Sequence, residues 1–461
     1  MLKYKWIKTG LLIFIAALFS LLAACTSSTP SPTPRFTSTP RLTSTPVKVA
    51  ATRPATATST PTRTPAPAAT RTSTSTSTST PTPTPGVTRL VVWASLPGPQ
   101  AEALAEDLET FQEEFPQYRL ILRHYDSPQE FMAALSTEEV DFDVILASPL
   151  LLGDLWAKKQ LAALSNFFPP DFIDSFAAVT LQGAQRAGET WGLADTAGFH
   201  LLLFYNLDLV ETPPANTEEL FDLAESLTQE GAWGLALNSY DPLWLIPWLL
   251  PSRSWLTNQI GRPTLDTPEM ETALSLYLSW QDRAAGIAPV VTYEEARSQF
   301  LAGKVAMLID GEWALEELAR TNRVNWRAAQ LPRLGQAETS QPAAPLVLAR
   351  YWAVNRSVRG NQALAAAAFL EHVTRPERQL AWTVQFGLLP THREALDDLI
   401  IANDSALRTS AEQMLEGQTV PLGVDPNALL EAMREPLRGA LEGELTPKQA
   451  VELMQANAER E

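Results

Sequence analysis

The stretch Phe300 to Trp313 reads F-L-A-G-K-V-A-M-L-I-D-G-E-W, and its reading decides the fold. Gln299, Phe300 and Leu301 form the tail of a helix that Gly303 stops, because glycine takes the left-handed C-cap conformation at little cost. Val305 to Ile309 is a short apolar run with the length and composition of a strand buried on both faces. Asp310-Gly311 is expected to break it, and Glu312 to Arg320 places Leu315, Leu318 and Ala319 at helical spacing. A helix therefore feeds a strand, and the strand delivers Asp310, Glu312 and Trp313 to its carboxyl end, where open α/β sheets bind ligands. A tryptophan there is either a lid over packed core or a platform for a ligand. On spacing alone burial is the commoner fate of an aromatic ring.

Upstream, the strand–helix order repeats. Leu90 to Trp93 reads as a strand, followed by a helix carrying Leu104, Leu108, Phe111 and Phe115 on one face. Arg119 to Arg123 and Phe142 to Ala147 are further strands, separated by a helix bearing Phe131 and Leu135. Alternation with short connections predicts a parallel sheet with right-handed crossovers. The first and third strands end in Trp93, Ser95 and Ser148, residues able to touch a ligand. Downstream, Asn216 or Thr217 caps a helix, Trp233 to Tyr240 is a strand, and Pro268 opens a helix at its first position. Leu346 to Val354 is a strand leading to an alanine-rich helix, Asn361 to Thr374, and Thr446-Pro447 starts a last helix. Tyr351 and Trp352 are adjacent, so a strand points them to opposite faces.

The motif F-x-x-G-K-x-A-M-x-x-x-G-x-W resembles that of the bacterial extracellular solute-binding proteins of family 1, the maltodextrin- and multiple-sugar-type receptors of ABC importers. Gly188 to Asn206, G-E-T-W-G-L-A-D-T-A-G-F-H-L-L-L-F-Y-N, resembles that family's Y-G-[IL]-P-x turn and the strand after it, with Trp191 and Ala194 in place of the usual Tyr and Pro. R-Y-W-A-V-N-R-S resembles its crossing strand. The resemblance covers Val87 to Glu461. It implies an α/β, two-lobed fold of the type II periplasmic-binding-protein kind, with a ligand cleft between the lobes and three hinge crossings. These are expected near Gly198 to Leu202, Ala344 to Leu348 and Leu399 to Ser405, with lobe one about 87–198 and 348–402 and lobe two about 203–343 and 405–461. It also implies that Trp313 faces the cleft and that Asp195 and Thr196 fall where the family places a ligand contact. With Trp93, Ser95, Ser148, Tyr240, Trp244, Asp310, Glu312 and Trp352 they make the expected ligand set, flat rings for sugar C–H faces and polar groups for hydroxyls. Maltodextrin receptors carry a stacking aromatic where this chain has Gln418 to Leu437, a segment with no Trp, Tyr or Phe.

The first 86 residues carry a different message. Lys3, Lys5 and Lys8 precede the apolar run Leu11 to Leu22, too short to span a membrane comfortably, and Leu22-Ala23-Ala24-Cys25 resembles a bacterial lipobox. Residues 1–25 are thus expected to be a lipoprotein signal, with Cys25 acylated and holding the protein to the membrane. Residues 26–86 are almost entirely Thr, Ser, Pro and Ala and cannot bury a core, so a disordered tether is expected, able to reach on the order of 190 Å.

Composition excludes several classes. The chain has 461 residues and a formal charge of −17, yet all 52 acidic residues lie beyond Gly86 while nine of the 35 basic ones lie before it. So acidic a domain is unsuited to nucleic acid or to anionic lipid surfaces. Cys25 is the only cysteine, so no internal disulfide exists. The four histidines fall in no metal-ligand spacing, and no cofactor is expected. The expectation is a non-enzymatic, extracytoplasmic, lipid-anchored receptor that delivers a sugar to ABC permease subunits. The alternatives are the same fold binding a polyamine, peptide or iron complex or serving as a sensor, and, remotely, a secreted glycan hydrolase, for which no acid/base carboxylate motif argues.

Overall fold

The computed structural model describes residues 86–136, 141–280, 287, 292–321, 323–335 and 340–460. The chain divides into two units, Met1–Gly86 and Val87–Glu461. The signal and tether expectations fall in the first, outside the described residues.

Eleven strands organise the second unit among the described residues: β1 (Thr88–Ser95), β2 (Tyr118–Tyr125), β3 (Val144–Ala147), β4 (Gln185–Arg186), β5 (Glu189–Thr190), β6 (Leu193–Gly198), β7 (Leu201–Asn206), β8 (Trp233–Ala236), β9 (Val305–Gly311), β10 (Trp326–Ala329) and β11 (Leu348–Val354). As the alternation predicts, β1 pairs in parallel with both β2 and β3. One sheet has the order β2-β1-β3-β11-β6, with β11 antiparallel to each neighbour. The other runs β10-β7-β9-β8, with β9 antiparallel to β7 and parallel to β8. β4 and β5 form a small separate hairpin.

The deciding stretch sits at the centre of the second sheet. The helix Tyr293–Leu301 is capped by Thr292 with its reciprocal Glu295 bond, and Gly303 turns the chain at φ +69°. β9 is buried at every position, with Met307 and Ile309 in one apolar core and Leu308 in another. The expected break at Asp310-Gly311 does not occur. The strand continues because β7 supplies partners to both residues, Leu202 opposite Asp310 and Leu201 opposite Gly311. The following helix accordingly starts later, at Ala314. β8 is shorter than expected and stops at Ala236, beyond which Asp241 caps a short helix from Pro242.

Elsewhere the local signals act as chemistry dictates. Asn216, Thr267 and Thr446 cap their helices through side-chain oxygens, the last two with proline following. β11 splits its adjacent rings as strand geometry requires. Tyr351 packs in the core that holds Trp93 and Phe142, and Trp352 in that of Phe111 and Phe369.

The chain passes from the first sheet to the second between Gly198 and Leu201, and returns between Ala329 and Leu348. After β11 the helix Asn361–Thr374 lies on the first sheet, whereas Ser405–Glu416 packs against β10 and β7 of the second.

Candidate ligand-binding site

Because β1 and β3 are parallel and β11 is antiparallel to both β3 and β6, the carboxyl ends of β1, β3 and β6 share one edge of the first sheet. In the second sheet the carboxyl end of β9 lies beside the amino end of β7, with Gly311 opposite Leu201. Only Phe199 and His200 separate β6 from β7, so the two edges meet at this joint. The end of β9 brings Glu312 and Trp313 to the same place.

Glu312 ties the joint together. Its Oε1 accepts the N–H of Phe199 at 3.0 Å and its Oε2 that of Trp313 at 3.0 Å, while its own N–H donates to the His200 carbonyl at 3.0 Å. Burial pushes this carboxyl up to about 7, against the pull of the two amides and helped by the neighbouring Asp310 charge. Two backbone features depend on the carboxyl. A Cβ at position 198 would stand 2.3 Å from Glu312 Oε1, so a side chain there would displace the carboxyl from its bonds. Phe199 sits in the left-handed region at φ +68°, rare for a bulky residue and held here by the Glu312 bond. His200 is fully buried, with Nε2 2.9 Å from Ser410 Oγ, and burial lowers its pKa to about 4, so it is neutral.

Trp313 is partly exposed and lies over the strand end. A Cβ on Gly311 would come within 2.2 Å of the indole, so this glycine lets the ring lie against the backbone. Phe199 approaches it with ring centroids 5.6 Å apart. The indole N–H donates to the Tyr293 hydroxyl at 2.6 Å, and Tyr293 in turn meets Trp244 edge-on at 6.1 Å. Phe199, Trp313 and Tyr293 thus form an aromatic wall with a polar base, the chemistry that suits the apolar face and hydroxyl rim of a sugar.

Several expected ligand residues are placed elsewhere. Trp93 is 2% exposed and packs on Tyr125, Phe131 and Phe142, because both faces of the first sheet are covered. Trp352 is fully buried against Phe369, its N–H donating to Asp195 Oδ1 at 3.0 Å. Trp244 belongs to the core of the second sheet, and its N–H donates to the Ile309 carbonyl at 2.8 Å. Each is a core residue, not a cleft platform.

Two of the three expected acids, Asp195 and Asp310, are likewise taken. Asp195 has no exposed surface and is bound by Arg378 and by Arg350, the latter at 2.7 Å. Burial alone would raise its pKa, but the two guanidiniums together hold it below the ordinary carboxylate value. Asp310 is 1% exposed and paired with Arg297 at 2.9 Å. Thr196 is buried beside Arg350 in the β6–β11 ladder. Of the remaining expected residues, Ser95 and Tyr240 are partly exposed. Ser148 is exposed and caps the helix Pro149–Ala157 by accepting the Leu151 N–H.

Phe199, Tyr293 and Arg297 were not singled out from sequence. Tyr293 carried one readable sign, its place just inside a Thr-x-x-Glu helix start. Its proximity to Trp313 is a tertiary fact that no local pattern contains.

The model of the bacterial extracellular solute-binding protein family matches residues 108–409. The chain belongs to that family, whose members bind solutes outside the cytoplasm and are not enzymes. It is similar to the maltotriose-binding protein of Pyrococcus abyssi, 22% identical over 334 residues that make up 70% of each chain. Among solved structures it resembles a cyclo/maltodextrin-binding protein complexed with maltotetraose, with a TM-score of 0.70 and 20% identity over 81% of this chain and 96% of that one. The maltose/maltodextrin-binding domain MalE of Bdellovibrio bacteriovorus bound to maltotriose gives a TM-score of 0.61 and 24% identity, over 81% and 99%. These likenesses establish the type II periplasmic-binding-protein fold.

Proposed function

We propose that this protein is the lipid-anchored receptor of an ABC importer and that its ligand is a short malto-oligosaccharide held between two lobes at Trp313. The observation that carries the reading is the partly exposed indole at the end of β9, beside the β6–β7 joint, in a chain of a solute-binding family. The names of its relatives, which bind maltotriose and maltotetraose, support the choice of sugar. Lobe one comprises about 87–198 and 348–402 and lobe two about 203–343 and 405–461. They close by bending at the three connecting segments, and sugar contacts on both sides favour the closed form. Ser95, Ser148 and Tyr240 contribute polar groups at the rims of this cleft, and Glu312 holds the joint behind it. The lack of aromatics in Gln418–Leu437 removes one platform and favours a short oligosaccharide over a long dextrin.

Titration of the purified 87–461 domain with maltotriose, maltotetraose, maltose and spermidine tests the ligand class. Saturable heat with the first two, and none with spermidine, is the expected outcome. Tight spermidine binding without a response to any sugar contradicts it.

Residues 1–25 act as the export signal, Cys25 as the acylated anchor, and residues 26–86 as the tether that lets the receptor reach its permease. Cys25→Ser is expected to leave the protein unprocessed or to release it from the membrane fraction. Palmitate-labelled mutant at wild-type levels would show the anchor to be elsewhere.

A further inference from the structure

We propose that Arg297 is a positioning residue for sugar binding. Gripping Asp310 and the Tyr293 hydroxyl, it sets the pose of the Trp313 ring. Arg297 projects from the helix Tyr293–Leu301 with its side chain 16% exposed. Its Nε donates to Asp310 Oδ2 at 2.9 Å and its Nη1 to Glu317 Oε2 at 2.8 Å. Its Nη2 donates to the Tyr293 hydroxyl, and the guanidinium stands 4.7 Å from the Tyr293 ring centroid. That hydroxyl also accepts the Trp313 indole N–H. One guanidinium thus joins the carboxyl end of β9, the helix before it and, through Glu317, the helix after it.

The geometry explains why the ring needs this support. Trp313 follows the strand end, where its backbone is fixed by Glu312 but its two side-chain torsions are not. Among the described residues the indole N–H has the Tyr293 oxygen as its acceptor, so the ring's angle is set there. The Tyr293 ring carries that oxygen rigidly, so the oxygen's place depends on the tilt of the ring, over which the guanidinium stands. The fork of Arg297, anchored on the buried Asp310 carboxylate, fixes it, with planar geometry that a lysine does not reproduce. A ring already in its bound pose pays less ordering entropy when a sugar arrives. Asp310, expected from sequence to touch the ligand, acts instead one step behind it.

The inference rests on the reading that Trp313 stacks on the sugar, and its test separates the two. Tyr293→Phe and Arg297→Lys are made in the wild type and in Trp313→Ala. Tyr293→Phe keeps the ring, and Arg297→Lys keeps a cation for Asp310, so both are designed to fold. Maltotriose affinity, melting temperature and sugar-free tryptophan emission are measured for each. Each single change should weaken maltotriose binding about fivefold, the loss of one hydrogen bond's worth of ordering. Each should also shift the emission component that disappears with Trp313, and neither should weaken binding further in the Trp313→Ala background. Wild-type affinity in both single variants overturns the positioning role, as does an equal loss in the Trp313→Ala background, which would mean a direct sugar contact or general loosening. Wild-type affinity in Trp313→Ala itself overturns the stacking reading and the positioning role with it.

Discussion

Trp313→Ala is expected to weaken maltotriose binding by roughly 2 kcal/mol or more, about thirtyfold, while the domain still melts close to the wild-type temperature. The split follows from where the ring sits. It is partly exposed at a sheet edge, touching Phe199 and the Gly311 backbone on one side and held by a single hydrogen bond at its nitrogen. Its removal costs a contact surface but opens no closed cavity. A tryptophan fully enclosed in core would behave in the opposite way, with about 3–5 kcal/mol lost from stability. Trp352, fully buried against Phe369, serves as that control. Titration calorimetry and thermal unfolding on both mutants check the pattern. Unchanged affinity with a sharply lower melting temperature for Trp313→Ala would return this ring to a structural role.

The second large effect is on stability alone. Asp195→Ala should cost about 3–5 kcal/mol, because it leaves Arg378 buried without its central partner. The network is dense: Arg378 also donates to Asp107 Oδ2 at 2.9 Å and lies 3.9 Å over the Trp382 ring, while Arg350 donates to Gln100 Oε1 at 3.0 Å. The pH dependence follows from the lowered pKa of Asp195. The stabilisation is fully present above the unfolded value, near 3.8, and is lost only as pH falls through the still lower folded value. The difference in melting temperature between wild type and mutant should therefore persist from neutral pH down to about pH 4 and narrow below it. A mutant that melts like the wild type but binds maltotriose weakly would instead restore Asp195 to the ligand set.

These two residues also show what the sequence could and could not convey. The strand–helix alternation, the helix caps and the burial of β9 are local, set by periodicity and capping chemistry, and they were legible. So was the split of Tyr351 and Trp352 to opposite faces of β11. What was not legible was which face belonged to the cleft. Both faces of the first sheet are covered by apolar cores, so the rule of alternation assigns Trp93 and Trp352 to sides without saying that each side is closed. The pairing of Asp195 and Asp310 was not legible for a related reason. Asp195 meets Arg378, 183 residues away, and Asp310 meets Arg297 from the preceding helix. Such partners are tertiary, and a carboxylate beside a strand end looks the same in sequence whether it awaits a hydroxyl or already holds a guanidinium. Position along β9 was readable for Trp313, whereas its support from Tyr293 was not.

The most direct measurement is a crystal structure of the 87–461 domain with maltotriose. The expected result is one glucose ring lying flat on the Trp313 indole beside Phe199, between the edges of the two sheets, with the Trp313 N–H still donated to Tyr293. A sugar bound away from Trp313, or an indole turned edge-on and free of the ligand, would contradict the account.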